Sequence, residues 1–158
     1  MAASPPTLEV RRLRTWFYTR DGIAKAVDDV NLTVAKGEIL GLVGESGSGK
    51  TVTGFSILGL VDEPGRIVDG EILLNGADLV GLPEDALRHI RGRSIAMIFQ
   101  DPMMTLNPVL RIDTQMIEAI TAHEDVSRDE AFSRARSALI RVGIAAPDER
   151  LQIGRAHV

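Results

Sequence analysis

An eight-residue stretch, residues 44–51, constrains the fold of this chain more than any other part of its sequence. It reads Gly-Glu-Ser-Gly-Ser-Gly-Lys-Thr and fits the pattern G-x-x-x-x-G-K-[S/T] at every fixed position. Its three glycines allow positive φ angles, which turn backbone N–H groups inward, and a helix that begins there presents the positive end of its dipole. The stretch therefore predicts a loop that binds phosphate. The alternative is an ordinary glycine-rich turn.

The flanks of the loop supply the strand and the helix that such a loop needs. Residues 38–43 form a short apolar run rich in branched side chains, typical of a strand buried on both faces of a parallel sheet. Residues 50–60 place apolar side chains along one side of a helix. In that setting Lys50 reaches the terminal phosphates of a nucleotide, and the Thr51 hydroxyl ligates a Mg²⁺ ion that bridges them. The candidate phosphate-binding residues are Gly44, Glu45, Ser46, Gly47, Ser48, Gly49, Lys50 and Thr51.

A second apolar run, residues 94–99, predicts another strand of the same parallel sheet and is followed by Gln100. Ligands of open α/β sheets bind outside the carboxyl ends of the strands, so we expect Gln100 at the same crevice as the loop. There its amide completes the magnesium shell or positions the attacking water. The alternative is a surface glutamine at the end of a strand.

The N-terminal part of the chain predicts antiparallel strands. Residues 8–15 and 24–34 carry the loose alternation of strands with one wet face, and an Asp-Gly turn lies between them. Residues 71–75 predict a short strand at a sheet edge, which ends in an Asn-Gly turn. The simplest account is an antiparallel β piece that leads into the buried parallel strands.

Three adjacent aromatic residues, Trp16, Phe17 and Tyr18, follow the first predicted strand. An aromatic ring beside a nucleotide site can stack on the base, and such stacking contributes about 1–3 kcal/mol. The alternative is that the rings fill the core of the sheet. One ring can also stack on a base while its neighbours pack.

From residue 112 onward the pattern changes to helices. Apolar residues recur at helical spacing from Ile112 to Ile120, and Ser127 to Glu130 form a capping box that opens a second helix. A further short helix is expected at residues 83–91. The chain thus predicts an α/β protein whose helical part follows its β part.

Composition excludes several classes of function. The net charge is −4, which argues against a nucleic-acid partner held by a basic surface. Cysteine is absent, so the sequence has neither a disulfide framework nor a thiolate metal site. No apolar run approaches the roughly 18 residues that would span a bilayer, and the N-terminus does not resemble a leader. We therefore expect a soluble cytosolic protein.

The chain resembles the ATP-binding subunits of ABC transporters, most closely the prokaryotic importers of dipeptides, oligopeptides and nickel. The resemblance covers residues 8 to about 151. The segments that carry it are the aromatic before the first turn, the loop at 44–51, Pro64-Gly65, Gly70-Glu71-Ile72, Phe99-Gln100-Asp101-Pro102 and Leu106-Asn107-Pro108.

This resemblance implies an α/β fold of the P-loop NTPase class, of the ABC ATPase type. Such a fold combines an N-terminal antiparallel β piece, parallel core strands and the start of a helical subdomain, and it would be incomplete here. The implied division places the N-terminal part of the ATPase core in residues 1–110 and the start of the helical subdomain in residues 111–152.

The resemblance also implies ligands, partners and a location. ATP and Mg²⁺ are the implied cofactors, with Phe17 stacking on adenine, Tyr18 as the next choice, and Thr51 and Gln100 at the metal. Gln100 matches the glutamine that senses magnesium and contacts the membrane subunit. The implied partners are transmembrane permease subunits, a second ATPase subunit of the same or another kind and, indirectly, a solute-binding protein. The implied location is the cytoplasmic face of the cell membrane.

Three parts of the family's catalytic machinery are missing from the 158 residues. These are the Leu-Ser-Gly-Gly-Gln segment, the strand with the catalytic Glu and the later switch His. Residues 153–158, Ile-Gly-Arg-Ala-His-Val, match nothing in the family and resemble the translation of a sequencing adapter, so we expect a non-native tail. The chain would then bind nucleotide without hydrolysing it. The alternatives are a non-catalytic nucleotide-binding fragment and a soluble ABC ATPase outside transport.

Overall fold

A computed structural model of the chain describes residues 5–100 and 105–154. The chain divides into two compact units, residues 1–96 and 97–158. The first unit holds the β-sheet and the predicted phosphate loop, and the second is helical. Among the described residues, no helix is long and apolar enough to cross a membrane.

The first unit is built on a four-stranded antiparallel sheet with the order β2-β1-β3-β4. The strands are β1 (Leu8–Thr19), β2 (Gly22–Val34), β3 (Gly65–Leu74) and β4 (Ala77–Asp78). The α/β class and the N-terminal antiparallel β piece are thus confirmed. The strand expected at residues 71–75 is the end of the longer β3, which lies between β1 and β4 instead of at the edge of the sheet.

The turn between β3 and β4 has the backbone conformation that its Asn-Gly sequence favours. Asn75 and Gly76 have φ angles of 49° and 86°. Positive φ at both central residues is the conformation that joins two antiparallel strands with the correct twist, and Asn-Gly adopts it with little strain. The predicted tight turn is therefore confirmed.

Two helices accompany the sheet in the first unit, α1 (Lys50–Leu58) and α2 (Glu84–Ile90). Val52 and Ile57 of α1 pack against a buried apolar cluster. The cluster consists of Val10, Leu13, Val27, Ile72, Leu74 and Leu79. Because these side chains come from three strands and the segment after β4, burial of α1 depends on the assembled sheet.

The two predicted parallel strands are not formed, and this corrects the sequence interpretation. Residues 38–43 and 94–99 have no strand assignment, and no strand among residues 5–100 and 105–154 pairs with either segment. Ile39 is 96% exposed and Ile98 is 98% exposed, although burial on both faces was expected. A parallel strand needs a ladder of hydrogen bonds to a neighbouring strand, and within the described chain residues 94–99 have only an isolated bridge between Ile95 and Arg91.

The second unit consists of α3 (Ile112–Thr121), α4 (Arg128–Arg141) and α5 (Pro147–Gln152). Its buried apolar residues are Ile117, Ala131, Ala135 and Leu151. The Ser127 side chain accepts a hydrogen bond from the Glu130 backbone N–H at 3.2 Å, which confirms the predicted cap of α4. The sequence interpretation did not include α5. The predicted domain boundary at residue 110 stays a prediction, as does the foreign origin of residues 153–158.

The exposed apolar segment 38–43 leads to a first testable prediction. Exposed, unpaired strand-forming residues associate with other chains, so we expect the purified 158-residue chain to self-associate as its concentration rises. Ile39→Lys should reduce the apparent mass measured by size-exclusion chromatography with light scattering. Val142→Lys, at a 72% exposed position in the helical unit, is the matched control and should leave the mass unchanged. A monodisperse, concentration-independent monomer of the unmodified chain would contradict the prediction.

Candidate phosphate-binding site

Two of the three glycines of the predicted loop have the expected positive φ, and Gly44 does not. Gly47 and Gly49 have φ angles of 80° and 88°, in the left-handed region, and α1 begins at the next residue, Lys50. The Ser48 N–H donates to the Glu45 carbonyl at 3.2 Å and closes the turn. Residues 44–48 are exposed, so the loop is accessible to a ligand.

The Lys50 side chain folds back over the loop that precedes it. Its Nζ donates to the carbonyl oxygens of Gly44 and Glu45, each at 2.7 Å, and to Ser48 Oγ at 3.3 Å. An ammonium group has three donors, and all three have a partner in the loop. The loop therefore fixes a positive charge at the start of α1 before any ligand is present.

Gly49 joins the loop to the sheet. A Cβ atom built on Gly49 would collide with the backbone carbonyl oxygen of Ala26 in β2. The Gly49 carbonyl in turn accepts hydrogen bonds from the Thr53 N–H at 2.8 Å and from Thr53 Oγ1 at 3.0 Å. Only glycine allows this approach, so the requirement for glycine at position 49 is both conformational and steric.

The N-terminus of α1 fits an anion. Its N-cap residue is Gly49, no side chain caps the helix, and its first turn contains no acidic residue. The backbone N–H groups there have no carboxylate to offset the helix dipole. With the charge of Lys50 beside them, these groups fit a phosphate, and the exposed Thr51 hydroxyl stands in the same turn.

Arg91 holds the other end of α1, a role that sequence reasoning missed. Its Nε donates to the Leu58 carbonyl at 2.7 Å, its Nη2 to the Gly59 carbonyl at 2.8 Å and its Nη1 to Glu84 Oε1 at 2.7 Å. The hydrogen bond from Arg91 lowers the pKa of Glu84 below its ordinary value of 4.5. The ion pair is therefore present at neutral pH and is lost as the pH falls through that lowered pKa. No local sequence pattern links Arg91 to a helix that ends 33 residues earlier.

The three adjacent aromatic residues have different surroundings. The Phe17 ring is half-buried and lies against Gly65, where an added Cβ would come within 2.5 Å of the ring. Lys25 Nζ lies 4.5 Å from the centre of the Trp16 ring, and the Arg66 guanidinium lies 4.3 Å from that of Tyr18. One face of Trp16 and one face of Tyr18 are thus covered by a cation.

Gln100 is an exposed residue of the second unit. The strand expected to end there is not formed, and the place of Gln100 beside the loop stays a prediction. The structure does bring together Gly44, Glu45, Ser48, Gly49 and Lys50, as the hydrogen bonds of the loop show.

An open groove in the first unit is a weaker candidate site. Charged residues of β1 and β3 line it together with Pro5 and Pro6. Its one arginine, Arg11, is paired with Glu9 at 2.8 Å and with Glu71 at 3.1 Å. With Glu9, Glu71 and Asp78 against this single arginine, the groove carries a negative charge that disfavours an anion, and the loop at 44–51 remains the candidate site for phosphate.

Gly49 provides a second testable prediction. Gly49→Ala should lower the free energy of unfolding by about 3 kcal/mol or more, because it combines a strained φ with a clash against the Ala26 carbonyl. Gly47→Ala is the matched control. It has a similar φ but open space around its Cβ, and should cost only about 1–2 kcal/mol. Urea denaturation followed by circular dichroism measures both, and equal losses would contradict the steric argument.

Arg91 provides a third testable prediction. Arg91→Met keeps the aliphatic stem but removes the donors to Leu58 and Gly59, and should lower the free energy of unfolding by about 1–3 kcal/mol. Amide exchange should accelerate most in the last turn of α1. Arg88→Met, at a 73% exposed side chain of the same α2 helix, is the control and should leave that exchange unchanged. Unaltered exchange in Arg91→Met would show that α1 does not need this contact.

Comparison with known proteins identifies the family. The sequence profile described as "ABC transporter" matches residues 27–155. The chain is 46% identical over 145 residues to the probable peptide ABC transporter ATP-binding protein y4tR of Sinorhizobium fredii, an alignment that covers 91% of this chain and 43% of that protein. It is 43% identical over 146 residues to the oligopeptide transport ATP-binding protein OppD of Salmonella typhimurium, covering 92% and 43%.

The fold agrees with these matches. The dimeric structure of MJ0796, a bacterial ABC transporter cassette, superposes with a TM-score of 0.80 at 22% identity, covering 96% of this chain and 62% of that one. The chain spans less than half the length of the two relatives it matches. The profile covers well over half of the chain and includes the loop, and we conclude that the chain belongs to the ABC transporter family.

Proposed function

We propose that residues 44–51 bind the phosphates of ATP with Mg²⁺, within the ATP-binding subunit of a peptide importer. The observation that carries the proposal is the position of Lys50, whose ammonium group the loop holds at the uncapped start of α1. A fixed cation beside free backbone N–H groups attracts the terminal phosphates of a nucleotide. The names of the relatives favour peptides over nickel as the transported solute.

We propose two further contacts of the nucleotide, one with the metal ion and one with the base. We assign magnesium binding to the Thr51 hydroxyl and the Gln100 amide, the ion serving to neutralise charge between the phosphates. Among residues 5–100 and 105–154, no three His, Cys, Asp or Glu side chains are grouped to hold a metal ion. Hydroxyl, amide and phosphate oxygens are therefore the ligands that we propose.

We assign the adenine contact to Phe17, with Tyr18 as the alternative. Phe17 belongs to β1, and its ring lies against Gly65, a position that the Val61 side chain also approaches from just beyond the end of α1. The Arg66 guanidinium already occupies one face of Tyr18, which leaves Tyr18 only its other face for a base.

The partners and the location belong to the proposal as well. We infer that the subunit pairs with a second ATPase subunit and docks on transmembrane permease subunits at the cytoplasmic face of the membrane, with a solute-binding protein acting indirectly. The relatives named for peptide and oligopeptide transport support this role.

A second candidate is nucleotide binding without hydrolysis. Its specific support is the sequence, because the 158 residues contain neither Leu-Ser-Gly-Gly-Gln nor the strand with the catalytic Glu. A carboxylate that accepts a proton from water is what hydrolysis would require. We infer that the chain as given holds ATP but does not turn it over. A soluble ABC ATPase outside transport has less support, because the names of the relatives refer to peptide transport.

Replacement of Lys50 tests the proposed function. Lys50→Ala should weaken magnesium-dependent ATP binding at least about tenfold, because it removes the charge that faces the phosphates. Lys36→Ala, an exposed lysine of the turn after β2, is the control and should bind ATP as the unmodified chain does. Isothermal titration measures binding, and release of phosphate measures turnover, which we expect to be absent in all three proteins.

Two results would contradict the proposal in different ways. If the unmodified chain did not bind ATP, the assignment of the loop would be wrong. Turnover that Lys50→Ala abolishes would instead reveal a catalytic carboxylate within the 158 residues, and the second candidate would be excluded.

A further inference from the structure

Two hydroxyl side chains meet in the core between β1 and α1. Thr15 of β1 is 0% exposed and Ser56 of α1 is 1% exposed. Their oxygen atoms, Thr15 Oγ1 and Ser56 Oγ, lie 2.7 Å apart. Two buried hydroxyls in contact are costly unless their hydrogen bonds are satisfied, so the pair needs a physical explanation.

The direction of the hydrogen bonds can be assigned. Ser56 Oγ donates to the Val52 carbonyl, one helical turn earlier, at 2.7 Å. A serine hydroxyl has a single hydrogen, so the bond between the two side chains must have Thr15 as donor. The result is a directed chain from Thr15 through Ser56 to the first half of α1, in which both hydroxyl donors are satisfied.

This chain connects the two halves of the proposed nucleotide site. Thr15 precedes Phe17 by two residues on β1, a spacing that places both side chains on the same face of a strand. The bond to Ser56 shows that Thr15 faces α1. Val52 directly follows Thr51 in the first turn of α1. The hydrogen bonds thus link the strand that carries the adenine contact to the helix that carries the phosphate contacts.

Hydrogen bonds suit this position better than apolar packing would. Apolar contacts are non-directional, whereas a hydrogen bond restrains both distance and direction. The neighbouring contacts of α1 with the core, through Val52 and Ile57, are of the apolar kind.

We propose that Thr15 and Ser56 are positioning residues, which set the spacing between the base contact and the phosphate loop so that one ATP molecule reaches both. The inference rests on the proposed function. Neither side chain contacts the nucleotide, since both are buried. Their effect is on ligands that use both halves of the site.

The test compares a ligand that spans the site with one that occupies only the loop. Thr15→Val keeps the shape of the side chain and removes the hydroxyl. It should weaken ATP binding about fivefold, a modest coupling between two sites, and leave binding of inorganic pyrophosphate unchanged. Thr15→Ser keeps the donor and should bind both ligands as the unmodified chain does. Isothermal titration in magnesium gives both affinities, and their ratio is the readout.

Ser56→Ala provides the independent variant. It removes the same bond from the helix side and should change the ratio of ATP to pyrophosphate affinity as Thr15→Val does. The double variant should show no further change, because both substitutions break one link.

Three outcomes overturn the inference. The first is an unchanged ratio of ATP to pyrophosphate affinity in Thr15→Val and Ser56→Ala. The second is an equal loss of affinity for both ligands. The third is failure of both variants to fold, which would assign the pair to folding alone. A failure of the proposed function would give a different result, because the unmodified chain would then not bind ATP at all.

Discussion

The contact between Gly49 and the Ala26 carbonyl is the constraint on which the first unit depends. It places the end of the loop directly on β2 and brings the start of α1 close to the sheet. From that point α1 packs against the apolar cluster, and Arg91 donates hydrogen bonds to the Leu58 and Gly59 carbonyls at the end of the helix. The absence of a Cβ atom at Gly49 therefore permits the close contact that brings the start of α1 to the sheet, and with it the place where negative charge is favoured.

The loop supplies hydrogen-bond acceptors to the ammonium group of Lys50 before any ligand binds. An ammonium group in solution is strongly hydrated, and moving it to a ligand normally requires the removal of water. Here Gly44, Glu45 and Ser48 supply the oxygen atoms that replace this water. An incoming phosphate meets a cation that the loop already holds at the start of α1, and a hydrogen bond from Nζ to the phosphate replaces one of its bonds to the loop.

Local sequence predicted those features whose causes are local. The loop could be read because glycine, lysine and threonine each have a specific task in it, and the Asn75-Gly76 turn and the Ser127 cap could be read for the same reason. The hydrophobic runs at 38–43 and 94–99 predicted burial, but burial of a strand depends on neighbours that periodicity cannot identify. Arg91 and the Thr15–Ser56 bond were missed because their partners lie 33 and 41 residues away.

The unpaired state of residues 38–43 has a consequence for the thermodynamics of ligand binding. The loop is anchored at its Gly49 end by β2 and α1, whereas the segment that enters at Gly44 has no ladder of hydrogen bonds among the described residues. A ligand that contacts both ends must therefore restrict the backbone of the entering segment, at about 1–2 kcal/mol for each residue that becomes fixed. The affinity of the loop thus contains a conformational-entropy term that originates outside it, and any interaction that orders residues 38–43 beforehand strengthens binding without touching the ligand.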